Sequence, residues 1–179
     1  MRIKRTNDEL KADRPTIKEL INIDKFPIYV MLENIRSVHN VGSILRSADG
    51  IGVSKVYLTG YTPFPPRKDL SKTALGADQS VNWEHYENPL EAIKIIRSNK
   101  ITPIVIEQTV NSKSIFNFKL DLPVCFIFGN EVSGVSEDIL EIVDLHAEIP
   151  MRGVKQSLNV AVSVGIVGYE SYRQHLNKT

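Results

Sequence analysis

Two unbroken apolar runs, Ile28-Tyr29-Val30-Met31-Leu32 and Val124-Cys125-Phe126-Ile127-Phe128, constrain this chain more than any other feature. A strand with one wet face alternates apolar and polar residues. These runs do not alternate, so each suits a strand covered on both faces, as in a parallel sheet between helical layers. The segment after the first run keeps a helical period instead. Val41, Ile44, Leu45 and Ala48 recur at spacings of three and four, which predicts a helix over Asn40 to Gly50. Gly50 and Gly52 end it ahead of a strand over Val53–Leu58.

The alternation continues along the chain. Strands are expected over Val81–His85, Ile101–Glu107 and Leu145–Ile149, with Pro103 pointing to a kink or a sheet edge. Asn88 as cap, Pro89 in the first turn and the stripe Leu90, Ile93, Ile96 predict a helix between the first two. Ser136 is expected to cap a short helix reaching about Val143, and Ser157 a closing helix from Leu158 to about Arg173. Asn111 to Leu122 reads as a polar-aromatic connector. Gly60 to Lys72, with Pro63, Pro65 and Pro66 beside Arg67, Lys68 and Lys72, reads as a surface loop. The expected fold class is therefore α/β, a mostly parallel sheet flanked by helices. It forms one domain over residues 26–179 behind an arm or short helix over residues 1–25, which carries Arg2, Lys4, Arg5, Lys11, Arg14 and Lys18 among acidic residues.

Composition removes several function classes. With 42% hydrophobic and 24% charged residues the 179-residue chain is not disordered overall. Cys125 is the sole cysteine, which excludes a disulfide scaffold and a cysteine-rich zinc site, and it reads as core. No histidine and carboxylate cluster has metal-ligand spacing, so no metal is expected. Polar residues follow Met1-Arg2-Ile3-Lys4-Arg5, and no apolar run reaches the ~18 residues of a membrane span, so a cytoplasmic protein is expected. The net charge of +1 does not advertise nucleic-acid binding, but a local basic patch suffices for phosphate contact.

Three stretches carry more chemistry than a scaffold needs. The first runs from Asn34 to Asp49 and leaves the carboxyl end of the first strand, the edge where ligands of open α/β sheets gather. It holds Arg36, Asn40 and Arg46. Gly42 lies one turn before Arg46, so it is expected to open space beside the guanidinium. A capping asparagine and a surface arginine are the plainer reading. The second is Phe128-Gly129-Asn130-Glu131-Val132-Ser133-Gly134-Val135, a tight turn after a buried strand with Glu131 in the crevice. It is neither a Walker A loop nor a Gly-x-Gly-x-x-Gly loop. The third runs from Ile149 through Met151, Gly153, Ser157 and Leu158 to Asn159 and a helix thinned by Ala161, Gly165 and Gly168. Ser157 suits a cap, and Asn159 is harder to explain as one.

In this order and spacing, the three stretches resemble the three motifs of the SpoU/TrmH-type RNA ribose 2′-O-methyltransferases of the SPOUT superfamily. The likeness spans about Ile28 to Tyr169, and Thr73-Ala74-Leu75-Gly76-Ala77 shares it. The resemblance implies a C-terminal deep trefoil knot, over about residues 124–170, which ordinary chains almost never form. It also implies S-adenosylmethionine as cofactor, a homodimer, and structured RNA as substrate. tRNA is the expected substrate, with D-loop guanosine 18 ahead of wobble position 34. Ribosomal RNA, or RNA binding without catalysis, is the alternative. By the resemblance, Arg46, Asn40, Glu131, Ser157 and Asn159 form the catalytic set. Phe128, Gly129, Asn130, Glu131, Ile149, Met151, Gly153, Ser157 and Leu158 hold the cofactor. Arg36, Arg46, Arg67, Lys68 and Lys72 are the expected RNA contacts. The reaction would carry a methyl from a sulfonium to a ribose 2′-hydroxyl. A guanidinium accepts no hydrogen bond, so Arg46 either has its proton position shifted in the closed complex or orients the nucleotide and stabilises developing alkoxide charge.

Overall fold

The computed structural model describes residues 4–177; Met1–Ile3, with Arg2 of the arm, lie outside them. Seven strands form one sheet: β1 (Phe26–Glu33), β2 (Val53–Thr59), β3 (Trp83–Tyr86), β4 (Thr102–Ile106), β5 (Lys113–Ser114), β6 (Val124–Phe128) and β7 (His146–Glu148). Their order is β3-β2-β1-β6-β4-β7-β5, and every pairing is parallel. The helices are α1 (Asn7–Ala12), α2 (Val38–Ile51), α3 (Lys68–Ala74), α4 (Ala77–Ser80), α5 (Pro89–Ser98), α6 (Glu137–Ile142) and α7 (Val160–Leu176).

The apolar runs behave as their lack of alternation requires. Ile28, Val30, Leu32, Phe126 and Phe128 pack on one face, beneath Ile44 and Leu45 of α2, Leu70 of α3 and Val164 and Val167 of α7. Met31, Cys125 and Ile127 pack on the other, against Ala92, Ile93 and Ile96 of α5 and Ile139 of α6. Both strands are covered twice, so neither has a position for a polar residue between its ends. Cys125 is fully buried, and burial pushes its thiol well up.

Several expectations are corrected. Pro103 lies in an interior strand, because β4 sits between β6 and β7. Pairing with β7 starts only at Val105, so no ladder bond on that side requires a Pro103 N–H. The expected loop Gly60–Lys72 turns helical at Lys68, with α3 running on to Ala74. Within the connector, Lys113–Ser114 forms the edge strand β5. Ser136 precedes α6 but makes no side-chain cap; its N–H donates to the buried carboxylate of Glu33 at 3.0 Å. Ser37, not Asn40, caps α2, accepting from the Asn40 N–H at 3.2 Å. Gly50 stays inside α2, and left-handed Gly52 (φ 78°) ends it. The arm contains α1, opened by a reciprocal Thr6–Glu9 capping box and burying no residue.

Candidate active site at the carboxyl edge of the sheet

β1, β6, β4 and β7 are adjacent and parallel, so the loops leaving their carboxyl ends converge on one edge. All three motifs lie in those loops. The β6 loop folds back on itself: the N–H of Asn130 donates to the Gly134 carbonyl at 3.0 Å, and the N–H of Gly134 returns to the Asn130 carbonyl at 2.9 Å. The Asn130 side-chain oxygen accepts from the N–H groups of Val132 and Ser133. Gly129 is required by this closure, because a Cβ there would lie 2.2 Å from the Gly134 carbonyl carbon.

Glu131 projects from this loop to the start of α2. Its carboxylate accepts from the N–H of Arg36 at 2.9 Å, the N–H of Ser37 at 3.0 Å and the side-chain amide of Asn40 at 2.9 Å. Burial pushes the Glu131 carboxyl up, but the donors from Arg36, Asn40 and Ser37 outweigh it and hold the group below the ordinary glutamate range. Glu131 is therefore a fixed anion.

Asn40 continues the chain of bonds. Its oxygen accepts from the Asn159 side-chain amide at 3.0 Å, and the Asn159 oxygen accepts from the Ala161 N–H at 2.9 Å, capping α7. The direction of the chain is fixed at both ends. A backbone N–H can only donate to Asn159, and a carboxylate can only accept from Asn40, so each amide has one workable orientation. Glu131, Asn40 and Asn159, one from each motif, thus form a single polarised line. Asn159 is the N-cap, which corrects the assignment of that role to Ser157.

Beside this line lies a cavity of about 560 Å³, within the range of small-molecule sites. Phe128, Gly129, Asn130, Glu131, Ile149, Met151, Ser157 and Leu158 line it. Gly153 does not; it lies in open loop, with no atom within 4 Å of a would-be Cβ. Glu107, Gln108 and Glu148 also line it and were not anticipated. They stand at the ends of β4 and β7, where the rule placing ligands at carboxyl ends of strands would have found them. The Gln108 side chain donates to the Gln156 carbonyl at 2.6 Å, joining the β4 loop to the third motif. The lining has three carboxylates, Glu107, Glu131 and Glu148, and no lysine, arginine or histidine. Such a cavity disfavours phosphate and suits an apolar ring system bearing positive charge.

The basic residues lie elsewhere. Arg46 is on the exposed side of α2, six residues and about 9 Å of helix beyond Asn40. It does not line the cavity, and among the described residues its guanidinium makes no hydrogen bond or ion pair. Gly42 opens no space beside it. A Cβ at Gly42 would meet the Thr73 hydroxyl oxygen at 2.0 Å, so that glycine serves the close approach of α3. Arg67 pairs with Asp69 at 2.7 Å, both exposed, and is partly spent there. Lys68 and Lys72 are exposed on α3 with no partner among the described residues. Arg36, over its donating N–H, borders a second hollow with Ser37, Asn40 and Glu131. Among the described residues no group of His, Cys, Asp and Glu is arranged to hold a metal, and no helix is long and apolar enough to cross a membrane.

The model of the SpoU rRNA Methylase family matches residues 27–169, which contain all three loops. This chain belongs to that family. The tRNA (guanosine(18)-2'-O)-methyltransferase of Thermus thermophilus is 28% identical to it over 169 residues, 94% of this chain and 86% of the relative. The Aquifex aeolicus TrmH/SpoU tRNA modifying enzyme superimposes with a TM-score of 0.80 at 28% identity, covering 96% of this chain and 84% of that one. The AdoMet-bound rRNA methyltransferase of Sinorhizobium meliloti gives a TM-score of 0.78 at 27% identity, covering 88% and 60%.

Proposed function

We propose that this SpoU-family protein transfers a methyl group from S-adenosylmethionine to a ribose 2′-hydroxyl of tRNA, with guanosine 18 of the D-loop as target. The observation that carries this reading is the line Glu131–Asn40–Asn159, which ties all three motifs beside one acidic cavity. S-adenosylmethionine, when bound, supplies an electrophilic methyl on a sulfonium. Its flat aromatic purine faces and the positive charges of its sulfonium and ammonium match a cavity walled by Ile106, Phe128, Ile149 and Leu158 and three carboxylates. In this reading Met151, Ser157 and the backbone of Gly129–Glu131 hold the cofactor, and Gly153 lies in the loop between Met151 and Ser157.

Glu131, already holding three donors, is an anchor and not a proton acceptor. Asn40 and Asn159 fix the entry turns of α2 and α7, where the nucleotide is presented. Arg46 carries the one unpaired guanidinium on α2 and is assigned to phosphate contact and stabilisation of developing alkoxide charge. Arg36, Lys68 and Lys72 are assigned to the RNA backbone, with Arg67 joining them once it leaves Asp69. The guanosine 18 assignment is supported by the Thermus relative, whose likeness takes in nearly the whole chain. Ribosomal RNA is the second reading, favoured by the Sinorhizobium structure.

We further infer one methyltransferase domain over residues 26–179, with residues 124–170 threaded as a trefoil knot, in a cytoplasmic homodimer. The knot reading is supported by β6, which is inserted between the earlier strands β1 and β4. The dimer reading is supported by α7. There Val162 (50% exposed), Tyr169 (54%), Tyr172 and Leu176 follow one stripe, with Gly165 bare among them. Ribose-methylation mapping of tRNA and ribosomal RNA in a strain lacking this gene tests the assignment. Loss of the mark at guanosine 18 is expected; an intact tRNA profile with one lost ribosomal mark overturns it.

A further inference from the structure

Tyr61, just past the end of β2, is an aromatic side chain that the fold holds in place yet leaves 63% exposed. Its hydroxyl accepts from the Asn130 side-chain amide at 2.8 Å, and its backbone N–H donates to the Asn34 side-chain oxygen at 3.2 Å. The same Asn130 amide donates to the Asn34 carbonyl at 2.7 Å, which closes a triangle across the ends of β1, β2 and β6. Two left-handed residues serve this triangle, Asn34 (φ 53°) and Gly60 (φ 62°). A Cβ on Gly60 would lie 1.9 Å from the Asn34 oxygen, so the glycine makes room for the bond that fixes Tyr61. Asparagine is among the few residues that tolerate a left-handed backbone. Asn130 is itself 8% exposed and neighbours Glu131 in the chain.

A tyrosine held at its hydroxyl and at its backbone has lost much of its freedom before any ligand arrives, and it stays mostly open to solvent. Fixed, exposed aromatic faces are what single-stranded nucleotides stack upon. Asn130 places this ring one residue from the Glu131–Asn40–Asn159 line, and the exposed Arg36 follows Asn34 by two residues on the same loop. We propose that Tyr61 is a stacking platform for the base of the RNA nucleotide whose ribose is presented at that line. This rests on the RNA-methyltransferase reading and deepens it by naming how the target nucleotide is held.

The test compares wild type, Tyr61→Leu, Tyr61→Phe and Tyr61→Trp in three measurements: tRNA affinity by fluorescence anisotropy, S-adenosylmethionine affinity by calorimetry, and mass by light scattering. Tyr61→Leu should weaken tRNA binding by about 5- to 150-fold, the range for loss of one stacked base. Phe and Trp should recover part of it, because the ring supplies the stacking face while loss of the hydroxyl frees it from Asn130. Cofactor affinity and mass should stay at wild-type values. Equal tRNA affinity of Tyr61→Leu and wild type overturns the proposal, as does a change in mass, which would make Tyr61 a subunit contact. Recovery with none of the aromatic variants also overturns it. If wild type binds tRNA but transfers no methyl, the enzymatic reading falls while the stacking inference is still judged on tRNA affinity. A wild type that binds no structured RNA removes both.

Discussion

Asn159→Asp separates the two tasks of Asn159, capping α7 and donating to Asn40. The aspartate oxygen still accepts from the Ala161 N–H, and a charge at a helix N-terminus adds about 0.3–1 kcal/mol. What disappears is the amide donor to Asn40. The Asn40 oxygen then faces a carboxylate, and turning the amide over places that oxygen against Glu131 instead. Neither orientation is satisfied, and a frustrated polar contact of this kind costs about 1–3 kcal/mol. The expected result is a fall in methyl-transfer kcat/KM of about 5- to 150-fold. The gained charge offsets part of that cost and leaves about 1 kcal/mol, so the melting temperature should fall by about 2–4 °C. Asn159→Ala loses both the cap and the bond, about 2 kcal/mol together. For a chain of this size that lowers the melting temperature by about 4–8 °C. Thermal scans and initial rates on the same preparations decide the matter. Wild-type turnover in Asn159→Asp, or equal destabilisation by both variants, would refute the polarised line.

Arg46→Ala should lower single-turnover methylation by about two to three orders of magnitude, the scale of one charge-stabilising donor, while calorimetric cofactor affinity is unchanged. Gly129→Ala forces backbone apart where 2.2 Å separates a Cβ from Gly134; a loss of about 3 kcal/mol in urea unfolding is expected. Glu131→Gln should reshape acid stability. The wild-type carboxyl titrates lower when folded than unfolded, so its contribution is full above about pH 4.3 and fades as pH falls through the lower folded value. The gap in urea midpoint between wild type and Glu131→Gln should therefore be wide at pH 6 and shrink towards pH 3.

Much of the fold is legible in residue order because burial on two faces leaves a distinctive mark. Val124–Phe128 is a strand at the residues its apolar run marks, and α5 starts at Pro89 behind the Asn88 cap. Errors gather where a local rule meets a tertiary partner. Ser157 and Asn159 are both able to cap, and the cap is Asn159, whose side-chain amide also donates to the Asn40 oxygen. Gly42 reads as room for Arg46 until α3 is seen to fill it. Glu107 and Tyr61 carry no motif; only the convergence of strand ends brings them to the site. The line from Glu131 to Asn159 spans contacts 91 and 119 residues apart in sequence, which no periodicity encodes.

Ribose methylation by this chain is open to direct measurement. Purified protein incubated with unmodified tRNA transcript and methyl-labelled S-adenosylmethionine, followed by nuclease digestion and mass spectrometry, tests it directly. Label is expected in a 2′-O-methylated guanosine, traced to position 18, and it should appear about two to three orders of magnitude more slowly with the Arg46→Ala variant. Label on a base, or none on tRNA and ribosomal RNA alike from a folded protein that binds the cofactor, would contradict it.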